Sequence, residues 1–85
     1  MKIIFKYRVR PMPHIHMPQG AKLLSVQVQR GEPMLWALID ESEPIVNRKI
    51  RSYGTGHTTP DDPGQFVGTF QMDDGLVFHV FDEGE

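Results

Sequence analysis

Residues 66–80 read Phe66-Val67-Gly68-Thr69-Phe70-Gln71-Met72-Asp73-Asp74-Gly75-Leu76-Val77-Phe78-His79-Val80. Phe66, Gly68 and Phe70 alternate with other residues on one side of Asp73-Asp74-Gly75. Leu76, Phe78 and Val80 alternate on the other. A period of two is the signature of a strand with one buried face. Asp-Gly supplies the positive φ that a tight antiparallel connection needs. The stretch therefore predicts a β-hairpin, with His79 on the face opposite Phe78 and Val80.

The same pattern extends towards the N-terminus. Ile3, Phe5, Tyr7 and Val9 alternate with Ile4, Lys6 and Arg8. His14-Ile15-His16-Met17 lies between prolines, which cannot donate to a ladder, so it is expected as an edge strand or an extended connection. Leu24, Val26 and Val28 alternate, Arg30-Gly31-Glu32-Pro33 turns the chain, and Met34-Leu35-Trp36-Ala37-Leu38-Ile39 follows as an apolar run. Such a run predicts a central strand covered on both faces, paired with its predecessor as a hairpin. Val46 to Tyr53 is a further strand, with Arg48, Ile50 and Ser52 on one face and Lys49, Arg51 and Tyr53 on the other. Pro44 and β-branched residues disfavour a helix between Asp40 and Arg48. Together these segments predict an all-β chain, a small antiparallel sandwich or barrel of about six strands.

At 85 residues the chain has the length of one domain, residues 1–85, with a modest core. It has no cysteine, which excludes disulfides and thiolate metal sites. Nine Lys and Arg face 11 Asp and Glu, for a net charge of −2. Lys2, Lys6, Arg8, Arg10 and Lys22 lie early, whereas Asp61, Asp62, Asp73, Asp74, Asp82, Glu83 and Glu85 lie late. No overall basic excess supports nucleic-acid binding. No apolar run approaches a membrane span, and the N-terminal run does not read as a signal peptide, so a cytoplasmic protein is expected.

The chemistry-bearing residues concentrate in Ile50-Arg51-Ser52-Tyr53-Gly54-Thr55-Gly56-His57. Arg51, Tyr53 and Thr55 alternate onto one strand face, and His57 is expected to turn back over it. A cation, a phenol, a hydroxyl and an imidazole suit a small anionic or nucleotide ligand, with Arg51 as the charged donor. Gly-Thr-Gly also invites an anion nest, although no Walker-type lysine follows. His14 and His16 share a strand face and could chelate a metal with help from His57 or His79. Strand histidines are more often surface groups, and no metal or other cofactor is assigned. The aspartate pairs read as turn residues. Trp36 is simplest as core. If only one face of its strand packs, Trp36 and Leu38 form an exposed interface patch.

Several blocks resemble a group of small proteins of tailed bacteriophages and prophages. They are Lys2-Ile3-Ile4-Phe5-Lys6-Tyr7, residues 18–27 around Gly20-Ala21-Lys22, Leu35-Trp36-Ala37-Leu38-Ile39-Asp40, Tyr53-Gly54-Thr55-Gly56-His57, Gly68-Thr69-Phe70 and Leu76-Val77-Phe78-His79-Val80-Phe81. The resemblance covers nearly the whole chain. It is to a domain of unknown function, so it implies a phage setting and the host cytoplasm but carries over no catalytic residue. Pro11-Met12-Pro13-His14-Ile15-His16 is less typical of that group, so no role passes to His14 or His16.

The resulting expectation is a non-enzymatic phage accessory protein. It would act in host interaction or anti-defence, by stoichiometric contact with a host macromolecule or by sequestering a small anionic ligand. An enzyme built on Arg51, Tyr53, His57 and His79 is the alternative, and a purely structural oligomer the third. A small core also predicts a homo-oligomer.

Overall fold

The computed structural model describes residues 1–11 and 13–85; Met12, in the proline-bracketed segment, lies outside them. Seven strands follow one another: β1 (Lys2–Arg8), β2 (His14–Pro18), β3 (Lys22–Gln29), β4 (Glu32–Asp40), β5 (Ile45–Gly54), β6 (Gln65–Gln71) and β7 (Val77–Gly84). No helix occurs among the described residues. The count exceeds the expected six or so because each arm of the closing hairpin is a full strand.

The strands form two antiparallel sheets, β1-β4-β3 and β2-β5-β7-β6. The β3–β4 hairpin turns on Arg30 and Gly31, with φ of 53° and 81°. Two consecutive positive φ values match the right-handed twist of the flanking strands. The turn is therefore shorter than residues 30–33, and Glu32 and Pro33 already belong to β4. In the β6–β7 hairpin, the Gly75 N–H donates to the Met72 carbonyl and the Met72 N–H to that of Leu76. Gly75 takes φ 89°, which explains the glycine after two aspartates.

Alternation then sorts the side chains. Leu35, Ala37 and Ile39 of β4 meet Ile15, Met17, Ile50, Phe70 and Val80 from the other sheet in one core. Each large aliphatic side chain fully buried there contributes about 1.5–3 kcal/mol. The expectation that β4 is covered on both faces is not met. Met34, Trp36 and Leu38 point away from the core and are only half-buried. A chain of this length builds two layers, so even a central strand has one face turned outward.

The two sheets come closest where β3 lies against β6. A Cβ on Gly68 would sit 3.4 Å from Val26 Cγ1, so glycine permits that approach. The opposite side is open. β1 packs closely only on β4, and Ile3 and Phe5, although on its inward face, stay 39% and 50% exposed. β2 is the corresponding free edge of the second sheet.

Candidate functional site

β5, β7 and β6 display a continuous outward face. The register sets Arg51 opposite Phe81 and Tyr53 opposite His79. It also sets Phe66 opposite Phe81 and Thr69 opposite His79. Residues directly opposite one another in an antiparallel pair share a face. Phe81 is thus flanked by two rings. Its centroid lies 5.9 Å from that of Tyr53 and 5.5 Å from that of Phe66, both edge-to-face. Such geometry is favourable for aromatic quadrupoles.

Next to this row stands a polar cluster. His79 Nε2 lies 2.7 Å from Thr55 Oγ1, and His79 Nδ1 lies 3.0 Å from Thr69 Oγ1. A neutral imidazole accepts at one nitrogen and donates at the other, so both hydroxyls are satisfied at once. The imidazole of β7 is held between Thr69 of β6 and Thr55, just past the end of β5.

Arg51, Tyr53 and Thr55 lie on this face, but they do not make one pocket. Arg51 and Tyr53 line a shallow depression with Pro60, Asp62, Gly64 and Glu83. The Arg51 Nε is ion-paired with Glu83 at 2.5 Å. With Asp62 beside that pair, carboxylates outnumber the guanidinium, which opposes an anion. Thr55 instead joins His79. His57 goes elsewhere. A Cβ on Gly54 would meet the His57 ring at 2.9 Å, and Gly54 points opposite to Tyr53. The reason is the turn: the His57 N–H donates to the Gly54 carbonyl, and Gly56 takes φ 87° at the third position. That geometry reverses the chain across the strand end. The four side chains of the enzymatic alternative therefore do not converge.

The glycine bend has little capacity for a phosphate either. The Thr55 N–H donates to the Val77 carbonyl and the His57 N–H to Gly54. Two amides that an anion nest would use are already spent. Among the described residues no group of three or more His, Cys, Asp or Glu side chains is placed to hold a metal ion.

Arg48 was missed as a structural residue. It is on the inward face with Ile50 and Ser52, as the alternation requires, and it forms an ion pair with Asp82 at 2.8 Å. A lone arginine between Asn47 and Lys49 gives no sequence signal for that. Burial pushes the Asp82 carboxyl up. The Arg48 hydrogen bond, the Gly84 N–H and the Arg48 charge outweigh it, leaving the group below the usual carboxylate range.

The second candidate surface is the outward face of the other sheet. Trp36 and Leu38 sit there, opposite Lys6 and Ile4 of β1. Ile4 is 61% exposed. Lys2, Lys6 and Arg8 alternate along the same strand face. The result is an apolar patch edged by cations, continuous with the free edge of β1. No helix among the described residues is long and apolar enough to cross a membrane.

No curated protein and no solved structure matches this chain. One family model does match, over residues 1–85, and the chain belongs to the family described as Domain of unknown function (DUF7352).

Proposed function

We propose that the chain is a non-enzymatic binding protein that acts by stoichiometric contact with another protein through the outward face of β1 and β4 and the free edge of β1. One observation carries this reading. The chain exposes 5782 Å². A compact monomer of 9.7 kDa is expected to expose about 5,100 Å². The excess, about 700 Å², is close to the roughly 800 Å² that each partner gives to a standard protein interface. Large apolar side chains contribute to it: Ile4 is exposed on the outward face beside half-buried Trp36 and Leu38, and Ile3 and Phe5 are exposed on the inward side of the β1 edge. Contiguous apolar surface rimmed by charge is typical of an interaction site.

The small-anion alternative draws less support, since Arg51 is neutralised by Glu83. In the phage setting that the sequence resemblance implies, the partner would be a host protein. The test is affinity capture from a bacterial host lysate, with mass spectrometry of proteins and small molecules. A protein captured in a fixed ratio by the wild type, retained by Arg51→Ala and lost by Ile4→Ser/Leu38→Ser supports the reading. Capture lost only in Arg51→Ala, or a captured small anion, overturns it.

A further inference from the structure

The open side of the sandwich has a distinct lining. Between the edges of β1 and β2, Lys6, Arg8 and Arg10 border one side of a cleft. His14 and His16 border the other, with Tyr7 between. No carboxylate lines the cleft among the described residues. Arg8 is paired at the rim with Glu32, and Lys6 donates to the Gln29 side chain. Arg10 has no ion pair among the described residues. Burial raises the Tyr7 phenol, so Tyr7 stays a hydrogen-bond donor. In a chain whose net charge is negative, the cleft is bordered by three cations, of which Arg8 is neutralised by Glu32.

The cleft lies between two free strand edges. β1 pairs only with β4, and β2 only with β5. Their unpaired N–H and C=O groups are templates for another strand. Along β1, Ile3, Phe5 and Tyr7 project inward while Lys2, Lys6 and Arg8 project outward. Facing residues of an added strand would share these sides.

We propose that β1 takes an extended acidic segment of a partner protein by strand addition. The segment would alternate apolar residues, laid on Ile3 and Phe5, with carboxylates on the outward side beside Lys2 and Lys6, and Arg10 lies just beyond the end of the strand. Strand addition gains affinity from main-chain hydrogen bonds and specificity from alternate side chains. A second copy of this chain fits poorly as that strand. Every antiparallel two-fold pairing of β1 that overlaps most of the strand sets one cation opposite another: Lys2 against Lys6, Lys2 against Arg8, or Lys6 against itself. Like charges directly opposite are destabilising. A nucleic acid would satisfy the cations but would leave the strand edge and the exposed Ile3 unpartnered. The inference rests on the proposed protein-binding role and specifies its partner.

The test uses the whole chain and a fluorescein-labelled octapeptide of alternating Glu and Val, read by anisotropy. Two further peptides carry N-methyl groups on alternate amides, one in each phase. Methylation in the phase facing β1 abolishes binding, and the other phase leaves it within about twofold. Lys6→Glu/Arg10→Glu weakens binding about tenfold or more. A block peptide of the same composition binds weakly. The inference is overturned if both methylated peptides bind like the parent, if a thymidine octanucleotide displaces the peptide and binds more tightly, or if no peptide binds saturably. Circular dichroism checks that the double variant folds, and the peptide arms stand without it. Should the peptides fail while lysate capture still depends on Ile4 and Leu38, the binding role survives and only the edge assignment falls.

Discussion

Arg48 and Asp82 form a two-pronged ion pair at the margin of the core. Arg48 Nε donates to Asp82 Oδ1 at 3.0 Å and Nη2 to Oδ2 at 2.8 Å. Arg48 Nη1 donates to the Ala21 carbonyl at 3.0 Å. One guanidinium thus ties β5 to β7 and to the turn before β3. The two side chains are only 12% and 9% exposed, so water screens the pair little.

Removing one partner strands the other. Arg48→Met leaves a desolvated carboxylate with the Gly84 N–H as its remaining donor. The expected loss is about 3–5 kcal/mol, measured by urea unfolding. Arg48→Met/Asp82→Leu should recover most of it, because well-packed apolar groups replace a buried pair at little cost. If the single variant unfolds like the wild type, the pair contributes nothing to stability.

The same pair sets an acid limit. Asp82 has a folded-state pKa below its unfolded value, which is about 3.9. Its contribution is therefore complete above that unfolded value and is lost as pH falls through the depressed one. Asp40 shifts the same way through its bonds from the Ser42 hydroxyl and amide, but it is exposed. Thermal melts should show a stability decline below about pH 4. Asp82→Asn should start less stable and decline less steeply.

Alternation made most of the architecture legible. Phe70, Phe78 and Val80 declared the inward face of the last hairpin, and Asp73-Asp74-Gly75 declared its turn. Sheet membership was not legible, because pairing order depends on long-range contacts that no local pattern encodes. The same limit applied to Met34–Ile39, where an unbroken apolar run looks alike whether one or two faces are covered. At the polar site, parity put Arg51, Tyr53 and Thr55 on one face. The partners that divide them, Glu83 and His79, come from β7, far along the chain. The destination of His57 was set by the φ of Gly56, which spacing alone does not specify.

Gly64 should be intolerant of any side chain. Its φ is 102°, and a Cβ would lie 2.5 Å from the Asp82 carbonyl oxygen. Backbone strain and a backbone clash then add, for an expected cost of about 2–4 kcal/mol in Gly64→Ala. Gly20→Ala is the control. Gly20 has φ 77° with open space around it, so only strain of about 1 kcal/mol applies. Equal melting shifts for the two would refute the clash.

Arg30 carries the opposite opportunity. It is the only non-glycine residue with positive φ among the described ones, at 53°. It precedes Gly31 in a two-residue hairpin loop, where Asn-Gly is favoured. Arg30→Asn should stabilise by about 0.5–1 kcal/mol, seen as a higher melting temperature. An unchanged or lower value would mean that the Arg30 side chain contributes more than its backbone costs.

Leu35 and Leu38 test the outward face of β4 by contrast. They lie three residues apart on one strand, so alternation sends them to opposite faces. Leu35 is fully buried, whereas Leu38 is half-exposed opposite Ile4. Leu35→Ala opens a cavity and should cost about 2–5 kcal/mol. Leu38→Ser removes no core packing and should cost about 1 kcal/mol or less. It should also shorten retention on a hydrophobic-interaction column, because part of the exposed patch is gone. A Leu38→Ser loss as large as that of Leu35→Ala would mean that the outward face of β4 is packed in solution, against a second copy of the chain. Light scattering of the wild type would then have to give a mass above that of the monomer.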